Sequence, residues 1–308
     1  MKFNPSTSQR DQDPRRASVW RRLRQHISGT KLRVPILWLR HRGFRSSDVF
    51  LGSYPRSGST WLRFTLFEML TGRTANFESV NTSLRGPGTH RLALPVLPGN
   101  GRFLSTHECY RADYRKAIYL VRDIRDVVSS EFWFEKERGV GYERFEDYLV
   151  HMLQGRKKYG SWQDHVRSWI ESESAKNGTL MLIRYEDMRK DPGKIFAELL
   201  EFLGKKVEPD AICSAIANNS LQKMRAKEDA LHSMPESLKF PKRPPRLSGE
   251  GRFVRSGRVG GWRENLSDEQ VSLIEQHAGS MLLRLGYPLI SPHKQQLAGG
   301  PLLQAVSP

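Results

Sequence analysis

Four strand-length apolar runs constrain this chain more than any other feature: VFLGS (49–53), RFLSTH (102–107), AIYLVRD (117–123) and LMLIRYED (180–187). None alternates apolar with polar residues, as a half-solvated strand would. Continuous apolar runs of this length mark parallel strands buried on both faces. Helix-periodic stretches follow three of them. STWLRFTLFEMLTG closes at Gly72, IRDVVSSEFWFEKERG closes at Gly139, and DPGKIFAELLEFLG opens on a proline and stops at Gly204. Near the end, Ser267 with Gln270 at capping-box spacing predicts another helix start. This alternation predicts an α/β fold, a single domain whose central parallel sheet is flanked by helices. Two Gly-, Pro- and Ser-rich stretches, 71–100 and 225–252, read instead as long loops over the open end of the sheet.

Ligands of open parallel sheets bind beyond the carboxyl ends of the strands. The polar residues there are Arg56 to Thr60, His107, Arg122 with Ser130, and Tyr185. Two arginines, several hydroxyls, a histidine and a glycine-bearing loop at a helix start suit an anion. The loop in VFLGSYPRSGSTW is not a Walker A motif. Five residues separate Gly52 from Gly58 rather than four, Ser59 occupies the lysine slot, and the cation, Arg56, precedes the second glycine. Trp61 and Tyr185 offer flat faces for a base, although a tryptophan or a strand-end histidine taken alone is more often structural.

The motifs in which these residues stand resemble the cytosolic-type sulfotransferases. YPRSGSTWL resembles that family's 5′-phosphosulfate loop and VRDIRDVVSSEFWF its 3′-phosphate motif. LIRYEDM resembles the strand carrying an adenine-contacting tyrosine, and FVRSGRVGGW the late R-K-G-x-x-G-x-W loop. The four occur in family order. The resemblance implies one α/β domain over residues 46–290, a P-loop-like phosphosulfate loop, and 3′-phosphoadenosine 5′-phosphosulfate (PAPS) as sulfuryl donor. The implied reaction is in-line transfer to an acceptor hydroxyl. It leaves adenosine 3′,5′-bisphosphate and requires no metal.

Carried over residue by residue, the resemblance makes His107 the general base, Arg56 the cation at the departing bridge oxygen, and Ser129 the serine that meets Arg56. Ser57, Gly58, Ser59 and Thr60 would hold the 5′-phosphate end. Trp61, Tyr185, Asn219 and Leu221 would lie on the adenine side. Arg122, Ser130, Arg255, Ser256 and Gly257 would receive the 3′-phosphate, and Phe253 would also belong to the donor-binding set. The chain departs from the family pattern in four places. Arg56, Ser105 and Ser256 stand where lysine is usual, and Leu221 where an aromatic is common. WRENLSDEQ carries no recognisable dimer motif, so the oligomeric state stays open.

Charge separates the N-terminal extension from the rest of the chain. Of the formal net charge of +17, residues 1–45 hold +10, from twelve lysines and arginines against two aspartates. In RRASVWRRLRQHI, Val19, Trp20, Leu23 and Ile27 fall at helical spacing with arginines opposite. This basic N-terminal extension reads either as a helix for an anionic membrane or partner surface, or as a solvated arm. No zinc-finger, homeodomain or RNP pattern supports a nucleic-acid partner. Two cysteines suit a reducing compartment. No run reaches a membrane span, and no secretory h-region flanks the early charges. A cytoplasmic enzyme is the expectation, with residues 291–308 a loose tail. The acceptor is expected to be a small molecule, lipid or sugar with a hydroxyl. Two rival readings remain at this level: a P-loop kinase or NTPase with Glu186 or Asp187 on magnesium, and a non-catalytic binding protein acting through its basic arm.

Overall fold

Val49–Ser53 is buried at every position, because the strand it forms lies in the middle of a sheet covered on both sides. The computed structural model describes residues 33–137, 142–233, 252 and 254–291. The chain divides after Arg42 into two units. In the first, VPILWL lies within a helix, Arg33–Arg40, and Arg42 stacks over the Trp38 ring at 4.0 Å. The amphipathic stretch at 15–27 lies outside the described residues. Among the described residues no helix is long and apolar enough to cross a membrane.

The second unit is built on four parallel strands: β1 (Val49–Ser53), β2 (Phe103–Thr106), β3 (Ala117–Val121) and β4 (Leu180–Arg184), in the order β2-β1-β3-β4. Register aligns the strand ends, with Gly52 opposite Thr106, Ser53 opposite Leu120 and Val121 opposite Arg184. The polar residue after each strand therefore emerges on one edge of the sheet.

Successive strand residues face opposite sides, so the apolar runs feed two cores. Leu51, Phe103, Ile118, Leu120 and Ile183 pack on one face beneath helices α1 (Ser59–Thr71), α5 (Pro192–Phe202) and α6 (Pro209–Asn218). Phe50, Leu104, Tyr119 and Val121 pack on the other, beneath α2 (Ile124–Glu137), α3 (Trp162–Ile170) and α8 (Asp268–Arg284). Each fully buried side chain of this size contributes about 1.5–3 kcal/mol. The short helix Tyr185–Lys190, α4, continues directly from β4, and α7 (Leu221–Ser233) follows α6.

The helix boundaries follow the punctuation in the sequence. Gly72 ends α1 in the left-handed conformation at φ 67°, its N–H bonded to Glu68 O. The Asp191 side chain caps α5 by accepting from Lys194 N, and Pro192 occupies the first turn. Ser267 and Gln270 form the expected capping box on α8. The α2 helix runs to Glu137, and Gly139 lies outside the described residues.

The two stretches read as loops are more ordered than that. Asn76 and Ser79 cap a helix at Phe77–Ser83, and two 3₁₀ turns follow at His90–Leu92 and Pro98–Asn100. The first part of the second stretch lies in α7, while 234–251 are outside the described residues. Both were hidden for one reason. The helix at 77–83 has only Phe77 and Val80 as buried apolar residues, and α7 carries a run of charged residues, Lys223, Arg225, Lys227, Glu228 and Asp229.

Gly52 shows how tightly β1 is enclosed. A Cβ there would come within 2.3 Å of the Trp169 ring, which stacks on Tyr119 at 5.2 Å and on Tyr114 at 5.5 Å. Gly52→Ala should destabilise the protein by about 1–3 kcal/mol, the usual cost of overpacking a filled core. Urea unfolding would show this as a lowered midpoint, and an unchanged midpoint would contradict the contact.

Candidate active site

The loop between β1 and α1 turns on two left-handed residues, Arg56 at φ 65° and Gly58 at φ 95°. A non-glycine residue in this region carries local strain, which persists where the surroundings enforce it. Gly58 is constrained twice, because a Cβ on it would lie 2.5 Å from the Tyr185 ring. The turn brings the N-terminus of α1 to the sheet edge. The first amides of a helix have no intrahelical acceptor, and they face an anion with the positive end of the helix dipole.

The surroundings contain unused hydrogen-bonding capacity. Ser57 Oγ, Ser129 Oγ and Arg122 Nε are buried without a hydrogen-bond partner. Orphaned buried polar atoms are uncommon, and of these three the Arg122 Nε belongs to a residue that lines the cleft, where an anion would supply the missing partner.

Arg56 and Arg122 are both oriented. Arg56 Nε donates to Ser130 Oγ at 3.1 Å, and its guanidinium lies over the Phe134 ring at 4.4 Å. Arg122 Nη1 donates to Arg56 O at 3.2 Å and Nη2 to Arg258 O at 2.7 Å, above the Tyr185 ring at 4.5 Å. Tyr185 in turn donates its hydroxyl to Gly257 O at 2.9 Å. Burial holds the Arg56 pKa down to about 10; Glu131 opposes this, and the Arg122 and Arg255 cations add to it. Burial also pushes the Glu131 carboxyl up to about 7. An anion arriving among three arginines relieves the repulsion between them.

The serine that meets the loop cation is thus Ser130, where the sequence reading expected Ser129. Residues adjacent on a helix point about 100° apart. On α2 that turn aims Ser130 at the loop and leaves the Ser129 hydroxyl buried behind it.

One cleft of about 240 Å³ gathers most of the residues singled out from the sequence. Its walls include Arg56, Gly58, Ser59, Thr60, Trp61, His107, Arg122, Ser130, Tyr185, Asn219, Leu221, Arg255, Ser256 and Gly257. Ser57 and Ser129 lie outside its lining, and Phe253 is outside the described residues. Phe134, Arg189 and Met224 also line it and were not anticipated. Each had a readable signal: Phe134 lies four residues after Ser130, Arg189 four after Tyr185 and Met224 three after Leu221, all on shared helix faces. Arg189 lies over the Trp61 ring at 5.2 Å.

His107 stands where β2 ends. Its Nδ1 lies 2.7 Å from Ser53 O, and because a carbonyl only accepts, Nδ1 carries the proton. The neutral ring then has its lone pair on Nε2. The carbonyl of His107 is held too. His165 Nε2 donates to it at 3.0 Å, while the Tyr119 hydroxyl donates to His165 Nδ1 at 2.8 Å. Burial keeps His165 neutral down to about pH 4. Burial also lowers the His107 pKa; the bond to Ser53 O opposes this, and the nearby Arg63 and Lys158 cations reinforce it. The site therefore joins a phosphate cradle to a neutral, oriented imidazole.

Comparison with known proteins identifies the family. The sulfotransferase domain family model matches residues 46–286. Human sulfotransferase 2A1 is 28% identical over 242 residues, covering 73% of this chain and 81% of that protein. The guinea-pig (Cavia porcellus) 3-beta-hydroxysteroid sulfotransferase is 28% identical over 240 residues, covering 73% and 80%. Among solved structures, mouse sulfotransferase SULT7A1 complexed with PAP shares the fold at a TM-score of 0.62 and 23% identity, covering 80% of this chain and 87% of that one. The family model spans most of the sequence, and the chain belongs to the sulfotransferase domain family.

Proposed function

We propose that the protein transfers the sulfuryl group of PAPS to an acceptor hydroxyl by in-line displacement, with His107 as general base. The observation that carries this is the shared cleft: His107, with Nδ1 committed to Ser53 O, lines the same space as the Arg56 loop and the Arg122–Arg255 pair. Two comparisons support it. The mouse relative was crystallised with PAP, and the guinea-pig relative is named for a hydroxysteroid.

When bound, PAPS supplies a sulfuryl group whose S–O bond to the 5′-phosphate breaks as the acceptor oxygen attacks sulfur. His107 Nε2 takes the proton of the attacking hydroxyl. Arg56 meets the negative charge that develops on the departing oxygen, where preorganised charge contributes most to rate. The amides of Ser59 and Thr60 hold the 5′-phosphate. Arg122 and Arg255 receive the 3′-phosphate, while Trp61, Tyr185 and Leu221 enclose the base.

The kinase reading loses its magnesium ligand. Glu186 accepts from Asp123 N at 3.1 Å and from the Tyr287 hydroxyl at 2.7 Å, and neither it nor Asp187 lines the cleft. A mass-spectrometric screen of hydroxyl acceptors tests the proposal, run in parallel with PAPS plus EDTA and with ATP plus magnesium. Sulfate esters formed in EDTA are the expected products. Phosphate esters formed only with ATP and magnesium would overturn it.

A further inference from the structure

The turn that carries Arg255 is gripped from two sides by residues outside the cleft lining. Downstream, Asp126 accepts from Gly260 N at 2.9 Å and from Trp262 N at 3.0 Å. Upstream, α7 holds the chain. Exposed Arg225 donates through Nε to Arg255 O at 3.1 Å and to Val254 O at 3.4 Å, and through Nη2 again to Arg255 O. One turn on, Glu228 is 1% exposed and accepts from Val254 N at 3.1 Å. Arg252 lies 3.6 Å from the same carboxylate and donates to Asp229 at 2.6 Å. Meanwhile Leu221 and Met224 of this helix form part of the cleft wall.

These bonds have a directional consequence. In a trans peptide the C=O and the following N–H point opposite ways. Drawing the Arg255 carbonyl to Arg225 therefore turns the Ser256 N–H away from that guanidinium. Drawing the Val254 carbonyl the same way does so for the Arg255 N–H. The turn also holds a single cation on the cleft, because residue 256 is serine. A phosphate site with few charges depends on how its donors are aimed.

We propose that Arg225 and Glu228 are positioning residues for donor recognition: from α7 they aim Arg255 and the backbone amides of its turn at the 3′-phosphate. The inference rests on the donor reading above and adds which residues, outside the cleft, set its selectivity for a 3′-phosphorylated nucleotide.

Calorimetry with adenosine 3′,5′-bisphosphate and with 5′-AMP tests it on the full chain. Arg225→Met alters an exposed side chain, and Glu228→Gln keeps the shape of a buried one. Each should weaken adenosine 3′,5′-bisphosphate binding by about tenfold or more, the worth of a misplaced charge-assisted bond, and leave 5′-AMP binding unchanged. Arg225→Lys, which retains one donor, should recover part of the loss. If both variants keep the wild-type ratio of affinities, or lose both ligands equally, the positioning role is wrong while the donor reading stands. A wild-type protein that does not distinguish the two nucleotides would overturn both together.

Discussion

His107→Ala should lower turnover by about two to four decades, the usual worth of a general base, with little change in donor affinity. The expectation follows from the tautomer. Ser53 O accepts from Nδ1, so the neutral ring presents Nε2 as a base. The same geometry sets the pH dependence. Burial, with Arg63 and Lys158 nearby, lowers the His107 pKa below its ordinary 6.5. The neutral ring is the active form, so turnover should rise with pH through a midpoint under that value and level off before neutrality. In His107→Ala this acid limb should be absent. Steady-state turnover at saturating PAPS across pH measures both effects. Near-normal turnover in the variant would assign the proton to another group. His90 is a poor substitute, being 3% exposed, bonded to Gly88 N and outside the cleft lining.

Arg56→Ala should slow the chemical step by about two to three decades, equivalent to about 3–4 kcal/mol for one preorganised stabiliser. Arg56 is held before any ligand arrives, by Ser130 Oγ, by the Phe134 ring and by its own left-handed backbone. A cation fixed in this way costs no reorganisation when charge develops beside it. The loss should therefore fall more on kcat than on donor affinity. Arg56→Lys should keep most activity if a point charge suffices, and lose it if paired N–H donors matter. Single-turnover kinetics at saturating PAPS separate the cases. An unchanged chemical step with weakened donor binding would make Arg56 a binding residue only.

The sheet and most of the residues that gather in the cleft were legible because both rest on local patterns. Strands buried on two faces cannot alternate, so VFLGS and AIYLV announce themselves, and the residue following each strand is placed by topology. Gly72, Pro192 and Ser267 mark helix ends through backbone chemistry that is independent of tertiary context. What stayed hidden depends on rotation or on distance along the chain. Motif order alone did not reveal whether Ser129 or Ser130 turns toward Arg56, because that is decided by the phase of α2 against the loop. The grip of Arg225 and Glu228 on residues 254–255 joins segments about thirty residues apart, in a stretch that reads as loop. The pairing of His165 with the carbonyl of His107 spans 58 positions and leaves no trace in either local pattern.

Isothermal titration of the wild-type protein with adenosine 3′,5′-bisphosphate, 5′-AMP and ATP tests the central claim most directly. On the proposed reading Arg122 and Arg255 of the cleft meet a 3′-phosphate, and charge-assisted bonds contribute about 1.5–3 kcal/mol each. Adenosine 3′,5′-bisphosphate should therefore bind at least about tenfold more tightly than either of the other nucleotides, without magnesium. Equal affinity for 5′-AMP, or tighter binding of ATP that requires magnesium, would contradict the assignment of this cleft to a 3′-phosphorylated sulfuryl donor.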